Sequence, residues 1–395
     1  MVRHFKIILI TLTLLFGNKG FSFNRIEKVR PPGVIVDYNP YSTGKYIGSP
    51  SIIILSNGDY IATHDYFGKQ AFERKLGVTV VFRSKNKGKT WNKVSTLQGQ
   101  FWSNIFEHNK ELYIIGTNKE YGDFIIRKSV DSGNTWTTPE NEENGIIFKG
   151  RFHTAPVPII TFDGKIWRAV EELDKNHKNW GKMFMASMAY ADINSDLLQA
   201  SSWKKTNNLP FNGDYLDGSF GAWLEGNAVV DVQANKVVNI LRVHTNTPNA
   251  EKAAYLTVNE NELNFDQQKG FINFPGGSKK FTIRYDEITK RYYTLSNIIT
   301  KPYDTVAATD RIRNTIALCY SNDLKNWKIA KTILHHPDMY KHGFQYIDWQ
   351  FEGNNIVFVS RTAYDDEFGG VGRQHDANYL TFHRIKKFRK IHNEK

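Results

Sequence analysis

The sequence predicts an all-β chain built from repeated four-stranded antiparallel units, and three observations carry that prediction. Short runs rich in β-branched and aromatic residues recur along the chain, at 51–55, 60–63, 78–83, 111–116, 124–128, 236–243, 291–299 and 355–361. Turn signals such as Asn57-Gly58-Asp59, Asp163-Gly164 and Glu352-Gly353-Asn354 lie between such runs, and no segment keeps a helical period for long. A motif also repeats: Ser129-Val130-Asp131-Ser132-Gly133-Asn134-Thr135-Trp136 has a looser copy that begins at Ser84, 45 residues earlier, and ends at Trp91. That spacing is in the range of one four-stranded propeller blade. A shortened copy runs from Ser321 to Trp327, and a worn one ends at Trp203. Together these features predict a single β-propeller.

Taken in order, the first 23 residues read as an export signal. Arg3, His4 and Lys6 precede the apolar run 7–16, and Gly20-Phe21-Ser22 offers small residues near a cleavage point. The run is too short for a stable membrane anchor, so the mature chain is expected to be periplasmic or secreted, without membrane insertion. Residues 24–390 are assigned to the propeller and 391–395 to a disordered basic tail end. The sole cysteine, Cys319, cannot form an internal disulfide, so the fold must stand on its core, for which 14% aromatic residues provide material. The formal net charge is +12, but the leader and the segment 384–395 account for about +8 of it. The remaining body is compatible with an acidic polysaccharide or oligosaccharide, and no motif or aromatic-studded basic stripe supports a nucleic-acid partner. A monomer is expected.

The repeated Ser-x-Asp-x-Gly-x-x-Thr-Trp pattern resembles the Asp box of sialidase-like propellers. The resemblance implies that Asp and Ser close the turn between the outer two strands while Trp packs between blades. Gly133 suits a left-handed turn position, Asp131 can accept bonds from nearby backbone N–H groups, and Asn86 preserves that acceptor in the first copy. Such boxes identify a scaffold and leave the function to be argued elsewhere. In sialidases the first blade carries an Arg-Ile-Pro motif whose arginine clamps the substrate carboxylate. The matching place here is Gly48-Ser49-Pro50, which supplies no cation, so ordinary sialidase chemistry is not expected.

A further resemblance covers nearly the whole mature chain. Segments 46–68 (YIGSPSIIILSNGDYIATHDYFG), 150–171 (GRFHTAPVPIITFDGKIWRAVE), 223–230 (WLEGNAVV), 361–366 (RTAYDD) and 375–385 (HDANYLTFHRI) resemble the propeller family of ulvan lyases and bacterial α-L-rhamnosidases. It implies a seven-bladed propeller that cleaves an α-L-rhamnosyl-(1→4)-D-glucuronate bond. The blade-like units counted in the sequence number about six, with 24–45 left either to close the ring or to join another blade.

Removing the C5 proton of a uronate needs a base, a group that neutralises the carboxylate, and an acid for the departing oxygen. His153 titrates near neutral pH and can serve as base or acid, and Arg242 can bind a carboxylate bidentately. Both resemble the lyases' histidine and neutralising arginine in order and approximate spacing. The bland alternatives are a buried structural histidine and a strand-end salt bridge. The lyases' tyrosine, some sixteen residues before the arginine, falls here at Glu225-Gly226, and Tyr215 is the nearest upstream candidate. This favours the hydrolase branch, which the resemblance describes as histidine-centred; His64 is then the candidate in the first blade, although adjacent Asp65 would point to the opposite face. Candidate substrate contacts are His244, Glu171, Trp223, Arg361, Tyr364 and His375. No cofactor is expected; His335, His336, His342, His375 and His383 lack compact ligand spacing, although the resemblance allows a structural zinc. The expected function is hydrolysis as an α-L-rhamnosidase, with β-elimination at the same bond, or glycan binding without catalysis, as alternatives.

Overall fold

The computed structural model describes residues 30–301 and 308–393, so the segment 1–23, expected to be an export signal, lies outside the described residues. Six antiparallel sheets of four or five strands follow one another along the chain. Blade 1 comprises Tyr46–Ile47 with Ser51–Ile54, then Tyr60–Phe67, Val78–Ser84 and Asn92–Gln98. Blade 2 holds Phe101–His108, Glu111–Thr117, Phe124–Ser129 and Ile146–Phe148. Blade 3 runs from Phe152–His153 and Ile159–Phe162 through Lys165–Leu173 and Phe184–Asp192 to Trp203–Lys205. Blade 4 contains Phe220–Asp231, Lys236–Thr245 and Lys252–Asn259, with Glu262–Asn264 and Phe271–Asn273 outside. Blade 5 contains Ile283–Asp286, Arg291–Asn297, Thr315–Ser321 and Trp327–His335.

Blade 6 shows how the ring closes. Its strands Gly343–Glu352, Asn355–Ala363 and Tyr379–Ile385 are completed by Val34–Tyr38, which pairs antiparallel with Tyr379–Ile385. An N-terminal strand in the last blade joins the two ends of the chain and leaves no split between first and last blades. Of the segment 24–45, the described residues from 30 onward therefore contribute ring closure rather than another blade. Six blades match the count of units in the sequence and correct the seven implied by the lyase and rhamnosidase resemblance.

The core lies between blades. One apolar cluster joins blades 6 and 1 through Val359, Phe382, Ile52 and Val80. Equivalent clusters join blades 1 to 2, 2 to 3, 3 to 4, 4 to 5 and 5 to 6. Each strand alternates its side chains between the two faces of its blade, so β-branched and aromatic residues supply both neighbouring interfaces. Cys319 is buried, and burial pushes its thiol up to about 12.

The Asp boxes occupy the turns between third and fourth strands. Ser129 Oγ accepts from Gly133 N–H at 2.9 Å, and Asp131 accepts from the Thr135 N–H at 2.9 Å and from its hydroxyl at 2.7 Å. Trp136 packs at the interface of blades 1 and 2 and donates its indole N–H to Gly133 O at 3.0 Å. Asn86 takes the aspartate's place by accepting from Thr90 N–H at 2.9 Å. The expected turn architecture is thus present. At the C-terminus, residues 391–393, expected within a disordered tail end, belong to the 3-10 segment Phe388–Asn393; Arg389 anchors it by a 2.8 Å bond to Asp286.

Candidate active site

The loops between second and third strands, together with the connections between blades, gather at the end of the ring opposite the Asp boxes. They surround a cavity of about 580 Å³ lined by residues from all six blades. Its centre is built by the innermost strands, three of which are interrupted in the same way. The pairing register breaks between Phe101 and Asn104 in blade 2, between Leu224 and Asn227 in blade 4, and between Gln345 and Asp348 in blade 6. Each break holds a non-glycine residue in the left-handed region: Trp102 at φ 47°, Glu225 at φ 49° and Tyr346 at φ 53°. A bulge re-aims a side chain, and all three residues line the cavity. The residue two positions later anchors the bulge. Asn227 accepts from Ile283 N–H of blade 5 at 3.0 Å, and Asp348 accepts from Ile52 N–H of blade 1 at 3.0 Å.

Glu225 and Tyr346 face one another across the ring. The Tyr346 hydroxyl donates to Glu225 Oε1 at 2.8 Å, and Arg242 Nη1 donates to Glu225 Oε2 at 2.8 Å. Burial acts to raise the Glu225 pKa, but Arg242, His153 and the two side-chain hydrogen bonds outweigh it and hold the carboxyl below its ordinary value. Burial and the Glu225 charge raise the Tyr346 phenol. The pair is therefore an ionised carboxylate accepting from a neutral phenol, the arrangement needed to remove that proton as the oxygen attacks.

Two further guanidiniums flank the phenol. Arg313 lies 5.7 Å and Arg361 5.1 Å from the Tyr346 ring centroid. Arg313 is fixed by bonds to Asp310 O and Gln345 Oε1, both at 2.7 Å, and Arg361 donates to His375 O while lying 4.3 Å from the Phe67 ring. Arg361 Nε is buried and has no protein partner. Burial lowers both groups, Arg361 to about 10, so both remain cationic at neutral pH. Together with Arg242 they form a cationic wall whose forked donors suit a planar anion.

Asp65, at the inner end of Tyr60–Phe67, lies on the blade 1 side. Its carboxylate accepts from Ser49 N–H and from Trp102 N–H, each at 2.7 Å. Burial nevertheless dominates and pushes it up to about 6. Gly48 makes this position accessible, because a Cβ there would lie 1.6 Å from Asp65 Oδ1. The stretch Gly48-Ser49-Pro50, which lacks the sialidase-type arginine, thus serves as the seat of a carboxyl group.

His153, Arg242, Arg361 and His375 are brought to this cavity. His153 Nδ1 bonds Glu171 Oε2 at 2.9 Å, and its ring stacks 4.5 Å from Phe184. Burial and the Arg361 charge push His375 down to about 3, leaving it neutral. The remaining candidates do not line the cavity. His64 is fully buried between Asp37, at 2.8 Å from Nε2, and the Phe82 ring, so it ties blade 1 to the ring-closing strand. The catalytic expectation for it is corrected: alternation along the strand sends Asp65, its neighbour, into the cavity. Glu171 sits behind His153 and also accepts from Gly226 N–H at 3.1 Å, which makes it a support for the blade 4 bulge rather than a substrate contact. Trp223 is fully buried between blades 3 and 4, with its indole N–H bonded to Pro210 O. His244 is covered by the edge of Trp180, and Tyr364 packs against His336 and His342. Tyr215 likewise belongs to an aromatic cluster with Phe220, Trp223 and Phe265, away from Arg242. Among the described residues no group of three or more His, Cys, Asp or Glu is placed to hold a metal ion.

Sequence reasoning did not single out Arg313 or Tyr346, and it read Glu225 and Asp65 only as neighbours of other positions. A shared pattern does exist: Trp102-Ser103-Asn104, Glu225-Gly226-Asn227 and Tyr346-Ile347-Asp348 each place an Asn or Asp two residues after the bulged residue.

No family model and no curated protein matches the chain. Solved structures do. The Hadza microbial sialidase Hz136 superposes with a TM-score of 0.61 at 13% identity, over 90% of this chain and 69% of that one. Trypanosoma rangeli sialidase gives 0.59 at 13%, over 92% of this chain and 61% of its own. The Penicillium chrysogenum α-L-arabinanase complexed with arabinobiose gives 0.54 at 14%, over 90% and 98%. At such identities the likeness establishes a sialidase-like propeller fold, and the chemistry must come from the site.

Proposed function

We propose that this protein is a glycoside hydrolase that releases, with retention of configuration, a terminal sugar bearing a carboxylate on its anomeric carbon, as a sialic acid does. The observation that carries the reading is the Tyr346–Glu225–Arg242 relay beside Arg313 and Arg361, opposite the raised carboxyl of Asp65. The cationic wall binds the substrate carboxylate. A carboxylate nucleophile would meet electrostatic repulsion there, whereas a phenol approaches uncharged, which is why a tyrosine suits this class and sialidases depart from the usual pair of carboxylates. In the first step Tyr346 Oη attacks the anomeric carbon and passes its proton to Glu225, while Asp65 donates its proton to the departing oxygen. In the second step Asp65 takes a proton from water, which displaces Tyr346 as Glu225 returns the phenolic proton. Each residue thus ends as it began.

The fold of the neighbours, which include sialidases and an arabinanase, is consistent with a glycan-degrading enzyme. The arginine expected from blade 1 of a sialidase has a substitute in this reading, because Arg361 of blade 6 supplies the third cation. The test is turnover of aryl glycosides of 2-keto-acid sugars, sialic acid first, with the anomeric form of the first product read by proton NMR; an inverted product would refute the double displacement.

Cleavage of an α-L-rhamnosyl-(1→4)-D-glucuronate bond is the second reading, and one observation favours it. Tyr346, delivered from blade 6, stands beside Arg242 and Glu225, where the lyase pattern lacked its tyrosine, and His153 shares that cavity. Incubation with ulvan separates the two chemistries: absorbance near ~235 nm reports elimination to an unsaturated uronate, and free rhamnose reports hydrolysis.

A further inference from the structure

A second, more open cavity of about 680 Å³ adjoins the first and shares Glu120, Tyr121 and Trp180 with it. It is formed by loops of blades 1, 2 and 3, whereas Arg242, Arg313 and Arg361 come from blades 4, 5 and 6. Its charge is one-sided. Arg74, Lys119, Arg151 and Lys178 line it with only Glu120 and Asp123 in opposition. Both carboxylates are already engaged. Glu120 accepts from Arg74 Nε at 2.6 Å, while Asp123 accepts from Gly150 N–H at 2.9 Å and Asn118 Nδ2 at 3.3 Å. Lys119, Arg151 and Lys178 have no acidic partner among the described residues.

Trp180 supplies an independent feature at the junction of the two cavities. Its ring is held edge-on by His244, at 5.2 Å, and by Phe184, at 5.8 Å, yet the residue is 50% exposed. An indole fixed in this way and left open is a platform on which the apolar face of a sugar ring can lie, with its hydroxyl edge in water. An exposed aromatic next to three unpaired cations asks for a ligand that is both a carbohydrate and an anion.

We infer that this shelf binds the leaving-group side of the substrate and that the leaving group is itself an acidic oligosaccharide, carrying uronate or sulfate groups. The inference rests on the hydrolase reading for its direction: Asp65, which protonates the leaving oxygen, accepts from Trp102 of blade 2 and so faces the shelf side, while the cationic wall holds the sugar being removed. The substrate then spans both cavities. Its terminal carboxylate meets the arginines, and its acidic continuation crosses Trp180 towards Lys119, Arg151 and Lys178.

The test compares the wild-type chain with the triple variant Lys119→Gln/Arg151→Gln/Lys178→Gln. Calorimetric titration uses an oligogalacturonide hexamer and, as the neutral probe, maltohexaose, at low and at raised salt. The wild type is expected to bind the acidic hexamer at least about tenfold more tightly than the neutral one, with affinity that falls as salt rises. The triple variant loses that preference and most of its salt dependence, while its turnover of a short aryl glycoside stays within about twofold of wild type. Equal affinity of the two proteins for the acidic hexamer, or no preference over maltohexaose in the wild type, overturns the shelf. Absence of aryl glycoside turnover in both proteins would count against the hydrolase reading instead, and the binding comparison would still decide whether the shelf takes anions.

Discussion

At the Asp-box end of the ring, left-handed turn positions include glycines, Gly88 at φ 81° and Gly133 at φ 90°, and Asp131 satisfies the surrounding N–H groups. At the mouth the same region of backbone space holds Trp102, Glu225 and Tyr346, side chains for which that conformation is costly. In the Asp-box turns the left-handed stretch pairs Lys87 with Gly88 and Ser132 with Gly133, and the third copy has Leu324 there, so these positions belong to turns in which side-chain identity matters little. At the mouth the side chain is kept and the backbone bears the strain, which persists because Asn227 and Asp348 lock the bulges to the next blade. What sets the mouth apart is position: its three left-handed residues interrupt innermost strands and line the cavity, whereas those of the Asp boxes sit in turns.

The sharpest way to break this comparison is Tyr346→Phe. The account expects kcat/KM on the cleaved aryl glycoside to fall by about 10³-fold or more, with the chain still folded at a cost of about 1–3 kcal/mol, since the attacking oxygen is removed and Glu225 loses that hydrogen bond but keeps Arg242. Next comes Arg242→Ala, which leaves buried Glu225 without its ion-pair partner. It should abolish turnover and cost about 3–5 kcal/mol in denaturant unfolding.

The pH dependence sharpens the role of Asp65. Its pKa is raised to about 6 from an ordinary 3.8, so the acid form needed in the first step is lost, and kcat/KM should decline, as pH rises through about 6. The same shift has a stability sign: the folded chain binds this proton more tightly than the unfolded one, so its contribution to stability is full below 3.8 and falls as pH climbs towards about 6. Asp65→Asn should remove both dependences, as read by pH–rate profiles and pH-dependent melting. Gly48→Ala tests the same carboxyl through its seat; it should lower activity by about tenfold or more by displacing Asp65. The smallest expected effect lies at the far end, where Asp131→Ala should cost about 1–2 kcal/mol of stability through lost turn hydrogen bonds and leave kcat/KM unchanged.

The same contrast explains what could be read from the sequence. Strands, Asp boxes and the count of six units follow local rules of alternation and turn chemistry, and the eight runs recognised along the chain all fall on observed strands. The motif Gly48-Ser49-Pro50 was correctly read as lacking a cation, but its consequence was not local: Arg361 arrives from blade 6, and Ser49 instead donates to Asp65. Arg242 was chosen for its fork and does bind a carboxylate, that of Glu225. Tyr346 stands 121 residues from Glu225, so no spacing in the sequence announces their hydrogen bond. His64 was preferred over Asp65 because the resemblance describes a histidine-centred hydrolase site, yet burial raises the aspartate to about 6 while the histidine is spent on Asp37. The scaffold was legible because it repeats, and the site was not because closure of the ring assembles it.

The most direct test of the central claim is to trap the glycosyl-enzyme. A fluorinated 2-keto-acid sugar with a good leaving group, matched to the aryl glycoside that is turned over, should inactivate the enzyme, and peptide mapping by mass spectrometry should place the sugar on Tyr346. Attachment to any other residue, or turnover of the glycoside that proceeds by inversion with no adduct formed, would contradict the account.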